Sequence, residues 1–213
     1  MGDAHIALAE QFEDLPQQQE AATLGMWTFL ATEILFFGGL FLSYIVYRSN
    51  YPHEFAEASR HTLVLFGTVN TAILLTSSLT MALAVHAAQR GDNKWLVRFL
   101  LITVFLGLGF LGVKGLEYRE DLAEHLLPGR SFTSELSHPA QIFWFLYWAM
   151  TGLHALHVLI GVGLISVMAW LARRLKFSPE YHTPVEVTGL YWHFVDIVWI
   201  FLYPLLYLID RYS

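Results

Sequence analysis

Two carboxylates, Glu33 and Asp196, stand inside long apolar runs of this sequence. A charged side chain near the centre of a bilayer costs ~2.5–3.5 kcal/mol on insertion scales, so an acid kept there needs a partner or a task. Glu33 lies about nine residues into its run, ~14 Å along a helix rising ~1.5 Å per residue, which is close to a midplane. Asp196 lies equally deep in the last run, and the two runs point the same way. The chemistry open to such acids is proton uptake and release, or anchoring against a neighbouring helix. The alternative is a neutral acid hydrogen-bonded inside the bundle.

Histidines accompany these acids. His193 and Asp196 are three residues apart, as are His154 and His157, so each pair shares one face of a helix. A metal pair or a haem held by one histidine from each run is geometrically open. Carboxylate-bridged metal bundles carry Glu-x-x-His on two helices, and the spans contain no such pair. Hydrogen bonding between helices is therefore the favoured use of these histidines. Asn70 and Ser77, and likewise Thr71 and Ser78, lie two helical turns apart. Small polar residues so placed hold membrane helices together.

The elements that must position these residues follow from hydropathy. Of 213 residues, 55% are hydrophobic and 14% charged, against about 25% charge in soluble domains. A helix crossing a ~30 Å hydrocarbon core needs about 20 apolar residues. Five runs qualify: about 24–47, 63–88, 95–116, 140–171 and 187–209. They are apolar all round, as buried or membrane helices are. The expected fold is an all-α integral membrane bundle of five transmembrane helices. Arg98 and Lys114 near the ends of the third run are expected to snorkel toward the headgroups, and Pro204 should kink the fifth. Trp148, Trp192 and Trp199 are expected to pack against helices or lipid. Residues 1–23 form a polar, acidic segment without Lys or Arg. That lacks the basic start of a signal peptide, so the first span is expected to act as its own insertion signal. The longest connection, between the third and fourth spans, reads as an acidic loop containing Glu117, Glu120, Asp121, Glu124 and Glu135.

The composition also excludes some classes. Net charge is −6 with twelve basic residues, which leaves no basic patch for nucleic acid. The absence of cysteine excludes disulfides and thiolate-ligated clusters. Basic residues divide six and six between the two sides, but Arg90, Lys94, Arg98 and Arg173, Arg174, Lys176 form compact clusters beside span ends. The positive-inside rule then puts the N-terminus in the cytoplasm and the C-terminus outside.

Several stretches resemble subunit III of haem–copper respiratory oxidases such as cytochrome c oxidase. Tyr191-Trp192-His193-Phe194-Val195-Asp196-Ile197-Val198-Trp199 is similar to that family's YWHFVDxVW signature. Thr151-Gly152-Leu153-His154-Ala155-Leu156-His157-Val158 with Gly161 is similar to its TGxHxxHVxxG motif. The run from Trp27 through Glu33 to Phe36-Phe37 resembles the helix bearing the family's intramembrane glutamate. Glu117-Tyr118, and Arg173 to Phe177 with Glu186, match as well. The mitochondrial form has seven spans, and this chain resembles the last five, as the short bacterial forms and quinol-oxidase homologues do. In the long form the first two helices enclose a lipid-filled cleft. Here that wall is expected to be absent or supplied by another subunit.

The resemblance implies a subunit without redox centres, with haems and copper held by subunits I and II. It implies packing on subunit I, bound phospholipid, and support of proton uptake and durable turnover. The complex would reduce oxygen to water with electrons from cytochrome c or quinol, in a bacterial cytoplasmic (inner) membrane. Glu33 and Asp196 would then serve the interface or proton behaviour of subunit I. His154, His157, His193, Glu117 and Glu186 would order the bundle and its lipids, and Arg173 would meet a phospholipid phosphate. An accessory subunit of a nitric oxide reductase is the nearest alternative, and a proton-coupled transporter a more distant one.

Overall fold

The computed structural model describes residues 10–129, 132 and 137–208. Five helices are long and apolar enough to cross a membrane: α1 (Leu15–Asn50), α3 (Val64–Gln89), α4 (Asn93–Ala123), α5 (His138–Arg173) and α6 (Thr183–Tyr203). No strand occurs among the described residues, whose one β-bridge joins Ser178 and Tyr181 in the turn before α6. The chain is therefore the all-α bundle that its hydropathy predicts.

Local chemistry sets the helix ends. The Asp14 side chain accepts from the Gln17 amide at 2.8 Å, and Pro16 sits in the first turn of α1, where a missing N–H costs nothing. Asp92 does the same for α4 by accepting from the Trp95 amide at 3.3 Å. Between α3 and α4 the chain reverses at Gly91, whose φ of 71° is the left-handed conformation that glycine adopts without strain. At Pro204, which has no amide hydrogen, α6 gives way to a π-helical turn, Pro204–Leu208. The expected kink is thus a change of helix type.

The sequence reading missed α2 (Pro52–Arg60), an amphipathic helix too short and polar to register as a span. Its Phe55 is buried against Tyr44 of α1 and Phe143 of α5, at centroid distances of 5.4 and 5.6 Å. The connection after the third span also differs from expectation. Glu117, Glu120 and Asp121 belong to the last turns of α4 rather than to a loop.

Helix α6 is the centre of the bundle and α1 its flank. In the most apolar stretch of α6, 56% of residues are buried, against 17% in α1. Two glycines explain the close approach of α4, α5 and α6. A Cβ on Gly107 or on Gly161 would come within 2.8 Å of the Trp192 indole, so only hydrogen at both positions lets that ring lie between helices. Polar pins join α3 to α6: Trp192 Nε1 donates to Ser77 Oγ at 3.0 Å, and Trp199 Nε1 to Thr71 Oγ1 at 3.1 Å. Thr80 and Thr103 share a hydrogen bond of 2.8 Å between α3 and α4.

Candidate functional site

Helix α1 leans on α5 and α6 through aromatic side chains. Phe29 meets Tyr191, Phe37 meets His157 and Phe194, and Phe41 meets Phe201. That register brings Glu33 to His157, with Oε2 at 3.2 Å from Nε2. The other ring nitrogen, Nδ1, lies 2.8 Å from the Leu153 carbonyl. A carbonyl only accepts, so Nδ1 carries a hydrogen. The short contact to Glu33 then needs a second hydrogen, carried by Nε2 or by the carboxyl. Either way the pair holds one shared proton and is electrically neutral. It is also partly open, with 14% of the His157 and 18% of the Glu33 side chain exposed on the flank of the bundle.

His154 shares the helix face with His157 but has a different environment. It is fully buried, with its ring 5.5 Å from Phe110 and 5.2 Å from Trp199, and neither nitrogen has a hydrogen-bond partner among the described residues. His193 is half-buried and joins α6 to α3 through Nδ1, 2.8 Å from Ser78 Oγ. Asp196 is buried beside the same serine, and neither of its carboxyl oxygens has a hydrogen-bond partner among the described residues. The Asn70 side chain is likewise buried, with no hydrogen-bond partner among the described residues. The two acids picked out by depth do not meet: Glu33 turns to α5, and Asp196 to α3.

The remaining candidates lie toward the helix ends. Glu186 accepts from Gln89 Nε2 at 2.8 Å and pairs with His182 at 3.1 Å, tying α6 to the end of α3. Arg173 is exposed at the end of α5, and the neighbouring Arg174 guanidinium lies 4.2 Å over the Trp170 ring. An apolar groove of about 430 Å³ runs between α1 and α6, lined by Trp27, Leu30, Phe37, Leu190, His193 and Phe201 among others.

A cluster that the sequence reading did not assemble closes the end of the bundle where α4 finishes. Lys114 does not snorkel; it is 1% exposed. Its ammonium meets Glu117 Oε2 at 3.0 Å, Tyr147 Oη at 3.0 Å and Tyr207 Oη at 2.7 Å. Four aromatic rings, those of Tyr118, Tyr147, Trp199 and Tyr207, stand around it within 5.8 Å. Charge turned inward can persist there because each donor finds an acceptor. Beside it Tyr118 stacks on Trp148 at 4.4 Å, and Trp148 Nε1 donates to the Leu126 carbonyl. The spacing of Lys114, Glu117 and Asp121 along one face of α4 was a signal in the sequence. Tyr147 and Tyr207, from α5 and the π-helical turn, gave none.

The model of the cytochrome c oxidase subunit III family matches residues 13–210. The cytochrome c oxidase subunit 3 of Thermostichus vulcanus is 34% identical over 190 residues, covering 89% of this chain and 88% of that protein. The quinol oxidase subunit 3 of Bacillus subtilis is 32% identical, covering 87% of this chain and 85% of that protein. The cytochrome c oxidase subunit 3 of Gallus gallus is 30% identical, covering 90% of this chain and 71% of that protein.

Proposed function

The chain belongs to the cytochrome c oxidase subunit III family, and from that premise we propose how this subunit serves its complex. It is a membrane-embedded component that associates with other oxidase subunits and has no catalytic site of its own. In this reading it packs on subunit I. Subunits I and II carry the haems and copper, and electrons come from cytochrome c or quinol. The residues support a chain without a redox centre: His157 is engaged with Glu33, His193 with Ser78, and His154 is enclosed by rings. The compact basic clusters support an N-terminus in the cytoplasm of a bacterium and a C-terminus outside.

The observation that carries the functional reading is the Glu33–His157 pair. It is the one acid–histidine pair of the described chain that lies deep in a span, and it opens on a flank rather than into the core. A neutral pair with one movable proton, reachable from the side, suits contact with a partner subunit whose proton uptake must continue through many turnovers. Arg173 and the α1–α6 groove are the proposed phospholipid contacts, the guanidinium for the phosphate and the groove for an acyl chain.

Affinity purification of the tagged chain from its native membrane tests the assembly. A haem-containing, oxygen-reducing complex should co-purify, oxidising either reduced cytochrome c or quinol. In that complex Arg173→Ala should lower the phosphorus retained per complex. A chain that purifies without haem would contradict the assembly, and unchanged phosphorus would contradict the phosphate contact.

A further inference from the structure

The hydrogens of the Lys114 cluster can be counted. Lysine has three N–H donors, and Glu117 Oε2, Tyr147 Oη and Tyr207 Oη use all three. The Tyr207 hydroxyl gives its hydrogen to Glu117 Oε1 at 2.7 Å. Tyr147 then poses a problem. Its oxygen lies 3.0 Å from Glu117 Oε1 and 2.9 Å from Asp121 Oδ2, yet a phenol has only one hydrogen to give. With both acids ionised, one of these oxygen pairs would sit at hydrogen-bond distance with no hydrogen between, lone pair against lone pair. One carboxyl must bring the missing hydrogen. Glu117 already accepts from Lys114 on one oxygen and from Tyr207 on the other. The Asp121 carboxyl has only the Tyr147 hydroxyl among the described residues.

We propose that Lys114, Glu117, Asp121 and Tyr147 form a proton-binding site sealed in the bundle, the proton held on Asp121 and donated to Tyr147 Oη. Tyr147 in turn donates to Glu117, and every contact of the cluster then has a hydrogen. Charge balances as well: one ammonium, one carboxylate and one neutral acid sum to zero. Releasing the proton leaves a net negative charge among side chains that are at most 2% exposed. Glu124, one turn further on, adds to the repulsion. The groups facing Asp121 are Lys114, Glu117 and Tyr118 from α4, Glu124 just past its end, Tyr147 from α5 and, beyond Glu117, Tyr207 from the π-helical turn. Alkaline conditions that strip the proton should therefore loosen α4 from α5. This inference does not rest on the reading of Glu33, nor on which donor feeds the complex.

Infrared difference spectroscopy on the full chain in its membrane complex is the test, wild type against Asp121→Asn. The wild type should show one carboxylic acid C=O band that the variant lacks. The asparagine amide also donates to Tyr147 Oη, so the variant should assemble normally and lose the alkaline release of the subunit. Tyr147→Phe should keep an acid band but shift it, because its acceptor is gone. Absence of the band in the wild-type-minus-D121N difference would overturn the proposal. So would a D121N chain that fails to assemble, or one released by alkali as readily as the wild type.

Discussion

The Glu33–His157 pair and the Lys114 cluster answer the same problem in opposite ways. Both keep carboxylates within apolar helices, and both are electrically neutral by hydrogen count. The first has two members, one direct contact between α1 and α5, and a partly open flank. The second draws on α4, α5 and the π-helical turn, and every member of its proton-binding set is at most 2% exposed. A buried charge that loses its partner costs far more than an exposed one. The closed cluster is therefore built for permanence, and the open pair for exchange with whatever covers it.

Lys114→Met should break the comparison most severely. It leaves Glu117 in a dry site without its cation, a loss of about 3–5 kcal/mol. The melting temperature of the purified complex, and the amount of this subunit it retains, would register the change. Gly161→Ala should weaken both regions together, because α5 carries His157 as well as Tyr147. The added methyl would lie 2.7 Å from Trp192 Cε3, an overpacking of about 1–3 kcal/mol. The ~1 kcal/mol that alanine gains over glycine in a helix offsets it only in part. A thermal shift together with a change in tryptophan fluorescence would check this. Glu33→Gln should be the mildest, within ~1 kcal/mol of wild type in stability, as for a partly exposed pair. Its amide can still reach His157, but the shared proton is lost. Equal melting temperatures for the Glu33→Gln and Lys114→Met variants would erase the distinction between open and sealed.

How much of this was legible in the sequence depends on the range of the interaction. The spans were, because hydropathy is a local property, and so were Glu33 and Asp196 as misfits within them. The pairing of Glu33 with His157 joins residues far apart in the chain, and depth, which put Glu33 level with Asp196, named no partner for either acid. Depth fixes height along the bundle but not the direction a side chain takes around its helix. Lys114 was misread for a related reason. A lysine near a span end snorkels unless acceptors inside satisfy it, and two of its three acceptors, Tyr147 and Tyr207, arrive from elsewhere in the chain. The cross-helix use of Ser77, Ser78 and Thr71 was easier to foresee, since small polar residues in a span have few other roles.

The most direct test of the open pair as the functional site is the rate at which the intact complex loses activity during sustained turnover. With Glu33→Gln, the complex should keep this subunit in wild-type amount and start at the wild-type rate, yet inactivate several times faster. A variant that inactivates at the wild-type rate would contradict the account.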